Sequence, residues 1–99
     1  MTRQLILTPA AIADLDAIYQ HSSERWGNDQ ARSYLQSLDR ILRLLADHPE
    51  IARLRPEFRT PINLHPFRSH LVVFRHDEMT LDVIRIVHAR SNWQGLLND

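Results

Sequence analysis

His70–Arg90 reads HLVVFRHDEMTLDVIRIVHAR, and its pattern decides the fold. His70–Arg75 is dense in β-branched and aromatic residues, with Val72, Val73 and Phe74 in succession. Asp77–Glu78 interrupts the run and Leu81–Val87 resumes it, which predicts two adjacent strands joined by a short polar turn. Alternation puts Leu81, Val83 and Val87 on one face of the second strand and Ile84 and Ile86 on the other. A strand apolar on both sides is covered on both sides, so this one is expected to be central in its sheet. Arg85, His88 and Arg90 gather at its far end. Arg85 alternates with Val83 and Val87, so it is either buried and paired or points into a cleft.

Upstream, Arg3–Leu7 (RQLIL) is a short strand candidate. Thr8 can cap a helix whose first residue, Pro9, loses no needed hydrogen bond there. Ala11, Ile12, Leu15, Ile18, Tyr19, Ser22 and Trp26 follow at helical spacing and predict one apolar face, with Trp26 closing it as a core residue. Asp14, Asp16 and Glu24 fall mostly off that face. Gly27 can end this helix, and Asn28 can cap the next. The stripe Ala31, Tyr34, Leu35, Leu38, Ile41, Leu42, Leu45 predicts a second helix, ended by His48–Pro49. Two amphipathic helices with so short a link form an antiparallel hairpin.

Residues 49–61 hold three of the five prolines and read as a connector with one helical turn near Ile51–Leu54. Ile62–His65 is a short strand that Pro66 limits. In the tail, Trp93, Leu96 and Leu97 stand at three- and four-residue spacing, as in a last helical turn on the core. The order β-α-α-β-β-β predicts an α+β layer: an N-terminal helical hairpin on one face of an antiparallel sheet, the other face open or filled by a partner.

Ninety-nine residues make one domain, 1–99, with one core. The 43% hydrophobic content and two glycines exclude a disordered chain. No cysteine is present, which removes disulfides and thiolate metal sites and suits a cytoplasmic protein. No stretch has the length of a signal-peptide core or a membrane span. Net charge is zero, yet residues 51–75 carry Arg53, Arg55, Arg59, Arg68 and Arg75 against Glu57 alone. All twelve basic residues are Arg, a side chain that pairs bidentately with carboxylate and phosphate.

Among chemical motifs, the six histidines include no pair at i, i+4 and no His-Glu-x-x-His, so neither a metal site nor a cofactor is expected. Asp14 and Asp16 do not face each other on a helix, so they form no catalytic pair. Arg59, Arg68, Arg75, Arg85, His88 and Arg90 form a basic set. With a His to move a proton and Arg to hold phosphorane charge, such a set can cleave RNA; otherwise it is a solvated face for an acidic partner. Trp93 is either a packing anchor or an exposed contact.

The segments TPAAIADLDAIY, WGNDQARSYLQSL, LLADHPEIARLRPEF, PFRSHLVVFR and VIRIVHARSNW, in that order over about ninety residues, resemble the ParE toxins of the RelE/ParE superfamily of bacterial type II toxin–antitoxin modules. The resemblance implies a RelE-like fold. It also implies a hetero-oligomer with a ParD-like antitoxin, action on DNA gyrase by binding rather than catalysis, and no sequence-specific DNA binding by this chain. RelE-type relatives are ribosome-dependent messenger-RNA endoribonucleases that use strand-borne basic residues and a C-terminal Tyr or His–Tyr. Here His88 is followed by Ala89–Arg90, no Tyr follows Tyr34, and no Lys exists, which fits the ParE ending His-x-Arg. Ser91–Asn92 stands where ParE sequences often carry Arg–Asp. On this reading no residue is catalytic, Arg53, Arg59, Arg68 and Arg75 meet the antitoxin, and Arg85, His88, Arg90 and Trp93 are candidates for the target. The alternative, an endoribonuclease, uses His88 as acid or base and Arg68, Arg75 and Arg90 as phosphate clamps.

Overall fold

The structure, a computed structural model, describes residues 3–97; the extreme ends of the expected 1–99 domain lie outside it. Strand β1 (Gln4–Leu7) leads into helix α1 (Pro9–Trp26), and helix α2 (Asn28–Asp47) returns antiparallel to it. The Thr8 side chain caps α1 by accepting from the Ala11 N–H, and Pro9 opens the helix. Gly27 closes α1 at φ +92°, a value that disfavours side-chain-bearing residues. The same Gly27 precedes α2, so Asn28 is its first helical residue and not its cap; its Oδ1 accepts from the Ser23 hydroxyl across the turn.

After a 3₁₀ turn at Pro49–Ile51 the connector contributes a strand, β2 (Arg53–Arg55), one more than the sequence pattern suggested. Then come β3 (Ile62–Phe67), β4 (His70–His76), β5 (Thr80–His88) and a short helix α3 (Trp93–Leu97). The sheet order is β1-β5-β4-β3-β2. All neighbours are antiparallel except β1, which lies parallel to β5, so the sheet is mixed rather than wholly antiparallel. The helical excursion between β1 and the rest of the sheet makes that parallel pairing possible. Pro66 does not end β3: β2 reaches only Ile62–Leu64, so Pro66 stands where that side of β3 is an open edge. In the β4–β5 turn, Asp77 Oδ1 accepts the N–H groups of Met79 and Thr80, both at 2.8 Å. These bonds hold its carboxyl below the usual carboxylate range.

The hairpin that decides the fold carries one irregularity. Val73 faces Arg85 and Phe74 faces Val83, which leaves Ile84 without a partner on β4. This β-bulge reverses the phase of β5. Leu81, Val83 and Ile86 face the helices, whereas Ile84 and Val87 face the other side. Simple alternation had grouped Val87 with Leu81 and Val83, and Ile86 with Ile84. The helical face buries Ala11, Ile18, Leu38, Leu42, Leu45 and Phe74 along with these strand residues. The opposite face is not left bare: Phe58 and Trp93 close over Ile62, Leu64, Val73 and Val87 in a second, smaller core.

Trp26 and Ile12 are not core residues. They are 65% and 51% exposed, because α1 turns only a narrow stripe, Ala11 and Ile18, fully inward. Asp14 stands beside that stripe instead of pointing to water.

Candidate functional site

The bulge creates the site's anchor. Strand β1 ends at Leu7, opposite Val83, so the backbone of β5 beyond that point has no strand beside it on that edge. Buried polar groups of a strand must still find partners. Helix α1 supplies them: the Thr8 hydroxyl donates to the Ile84 carbonyl at 2.7 Å, and Asp14 Oδ2 accepts the Ile86 N–H at 2.8 Å. The same carboxylate takes Arg85 bidentately, Nε and Nη2 at 2.8 and 2.9 Å. The two side chains are 15% and 27% exposed. Hydrogen bonding to Asp14 raises the Arg85 pKa further above its ordinary value. Both readings of Arg85 therefore hold at once: it is paired, and it lines a cleft.

That cleft, of about 780 Å³, lies between the C-terminal half of α1, the start of α2 and the end of the hairpin where His70 faces His88. Its size is that of a small-ligand site. His70 and His88 rings meet edge to face at 5.4 Å between centroids. The Tyr34 hydroxyl hydrogen-bonds His70 Nδ1 at 2.7 Å. Burial pushes the His70 pKa below the usual imidazole value, and the neighbouring His88 pushes the same way. In the tautomer that carries its proton on Nε2, the neutral ring accepts from Tyr34 at Nδ1. Burial raises the Tyr34 pKa, opposed by a Ser69 hydrogen bond and the Arg68 charge. His88 Nδ1 accepts the Arg90 N–H at 3.1 Å.

Arg68 sits in the two-residue loop between β3 and β4 at φ +54°, the single non-glycine residue with positive φ among those described. The first central position of such a tight hairpin favours glycine, so an arginine there is strained by roughly 1 kcal/mol. Its guanidinium lies 5.2 Å from the ring centroids of both Tyr34 and Phe67. Arg25 and Trp26 also line the cleft, with Arg25 stacked on exposed Trp26 at 5.5 Å.

The structure divides the residues singled out in sequence. Arg68, Arg85 and His88 share the cleft. Exposed Arg90 follows two residues after His88, beyond the end of β5. Arg75 donates to the Pro61 carbonyl near the opposite end of β4, five residues from His70 and so about 17 Å along the strand. By register, Arg53 shares the helix-free face with Leu64 and Val73, and Arg75 joins it there by alternation. Exposed Arg59 lies in the loop before β3. Trp93 is 6% exposed, packs on Phe58 at 5.8 Å and lies under Arg55 at 5.5 Å, the placement of a packing anchor.

Sequence reasoning missed Tyr34, His70, His21 and Arg25 as cleft residues. Tyr34 carried a signal, a hydroxyl within an apolar stripe that must find a polar partner; the others had none. Among the described residues no group of three or more His, Cys, Asp or Glu could hold a metal ion. No helix among them is long and apolar enough to cross a membrane.

A family profile described as "ParE toxin of type II toxin-antitoxin system, parDE" matches residues 5–93. The chain is 36% identical over 93 residues to Toxin ParE1 of Mycobacterium tuberculosis, covering 93% of this chain and 95% of that protein. It is 31% identical over 86 residues to Toxin ParE1 of Caulobacter vibrioides, covering 87% and 88%. Its fold is similar to a solved structure described as "Chromosomal ParDE TA system from P. aeruginosa", with a TM-score of 0.77 at 23% identity, over 90% of this chain and 98% of that one.

Proposed function

The chain belongs to the ParE toxin family of type II toxin–antitoxin systems, and from that premise we propose that it inhibits DNA gyrase by binding and is neutralised by a ParD-like antitoxin in the cytoplasm. The observation that carries a binding role is the dispersal of the basic residues. Phosphoryl chemistry needs its charges to converge on one phosphate. Arg68 and His88 line a cleft beside the helices, whereas Arg75 lies on the other face of the sheet at the distant end of β4. Arg75 therefore cannot share one phosphate with Arg68 and His88, which favours binding surfaces over a clamp built from the whole set.

The helix-free face suits the antitoxin. Arg53, Arg55 and Arg75 ring the small core on that face. An acidic-apolar segment that folds on binding would neutralise those charges and cover that surface. Arg68 belongs to a separate surface.

The test is a supercoiling assay with purified gyrase, ATP and relaxed plasmid. Loss of supercoiling with accumulation of protein-linked linear DNA, reversed by the antitoxin, is the expected result. Normal gyrase activity at saturating toxin would sink the proposal. A second reading, cleavage of ribosome-bound messenger RNA, draws on the shared cleft of Arg68 and His88. It requires that His88→Ala abolish toxicity while fold and antitoxin affinity stay intact.

A further inference from the structure

The cleft between the helical hairpin and the end of the β4–β5 hairpin has a chemistry of its own. On α1 it carries Asp14, His21 and Arg25, and on α2 Tyr34. The β3–β4 hairpin adds Arg68 and His70, and β5 adds Arg85 and His88. Among the described residues Asp14 is its sole acid, and it is consumed by Arg85 and the Ile86 N–H. Two guanidiniums and three imidazoles face a concave, half-apolar space, with no other acid among the described residues that line it. The Arg68 backbone is held where glycine is the default residue, a cost retained in the lining of the cleft. Trp26, which also lines the cleft, offers an aromatic surface that is 65% exposed.

We propose that this cleft binds a phosphate group carried beside an unstacked base, as in a mononucleotide or a single strand, with Arg68, His70 and His88 on the phosphate and Trp26 against the base. Guanidinium and imidazolium donors match a phosphate's oxygens. Stacking on an aromatic ring is tolerant of which base is present. The proposal does not depend on the identity of the toxin's target.

The test titrates the full chain with inorganic phosphate, a nucleoside 5′-monophosphate, a short thymidine oligonucleotide and a glutamate-rich peptide, while NMR follows the histidine rings. Expected are saturable shifts of His70 and His88. The monophosphate should bind roughly tenfold more tightly than inorganic phosphate, an advantage that Trp26→Ala removes. Arg68→Ala and Arg68→Gly should each weaken binding about tenfold or more, whereas Arg75→Ala on the opposite face should change it less than twofold. Tighter binding of the oligonucleotide assigns the site to a single strand, and equal binding assigns it to a free nucleotide; either supports the proposal. No saturable binding, an equal loss in Arg75→Ala, or peptide binding with the same Arg68 dependence in place of the nucleotide would each overturn it.

Discussion

On the helical face, Phe74, Leu81, Val83 and Ile86 pack against residues from two long helices. On the opposite face, Ile62, Leu64, Val73 and Val87 are covered by one loop residue, Phe58, and by Trp93 from a five-residue helix. Both sets are buried to single-figure exposure. Burial alone therefore says little about how firmly each is held. The first core is closed by elements with many internal hydrogen bonds. The second is closed by a loop residue and a five-residue helix, and such segments open locally at low cost.

The largest contrast is expected from aromatic truncation. Phe74→Ala should cost about 4 kcal/mol in denaturant unfolding, because the helices cannot collapse into the space it leaves. Trp93→Ala should cost about 2 kcal/mol, since the tail relaxes or detaches. Hydrogen exchange should then show lost protection around residues 93–97 and Phe58 but an intact helical hairpin. Equal costs with global opening in both variants would erase the distinction between the two cores.

Next comes polar pairing on the two faces. Asp14→Asn weakens the contact to Arg85 and the cap on the Ile86 N–H, and should cost about 2 kcal/mol by the same unfolding measurement. Glu57→Gln, which loses the exposed partner of Arg55 on the helix-free side, should leave the unfolding midpoint unchanged. A large effect at Glu57 would mean that the smaller core is held electrostatically as well as by packing.

Backbone conformation gives a smaller, signed test. At Arg68, glycine should be more stable than alanine by about 1 kcal/mol, because φ is +54° there. At Arg55, inside a strand, glycine should be less stable than alanine by roughly 0.5–1 kcal/mol. Thermal or denaturant unfolding of the four variants reads both signs. The same sign at both positions would contradict the strained hairpin.

The smallest effect is the pH dependence. His65 and His70 lie on the helical side, and burial holds both pKa values below the ordinary imidazole value of about 6.5. The unfolded chain then binds protons that the folded chain refuses. Their stabilising contribution is full above that value and falls as pH drops from it toward the folded pKa values. Gln at both positions should flatten that limb of a stability–pH curve. An unchanged limb in the double variant would place its origin elsewhere.

The two caps at Thr8–Pro9 and Gly27, the α2 stripe and the β4–β5 hairpin were legible because each rests on local chemistry: a cap, a positive φ, a period of two or of 3.6 residues. The family was legible from the order of such segments. The candidate site was legible only in part. Arg85 stood out as a charge inside a strand, but its partner Asp14 is 71 residues away and falls off the apolar face that the α1 pattern predicts. Trp26 lay on the apolar stripe of a helix whose sheet-facing side is too narrow to cover it. His70 and Tyr34 met only once β4 crossed α2.

By itself the sequence determined the helical hairpin, the β4–β5 hairpin, the order of all elements but β2 and the apolar stripe of α2, since those follow from backbone sterics and from hydrophobic periodicity within a few turns. The tertiary structure alone decided the Ile84 bulge, the parallel seat of β1 and the split of the Arg residues between two surfaces. Each depends on which groups meet across the fold. One extra residue in a strand reverses every side chain beyond it, and no local pattern reveals that until the neighbouring strand is in place.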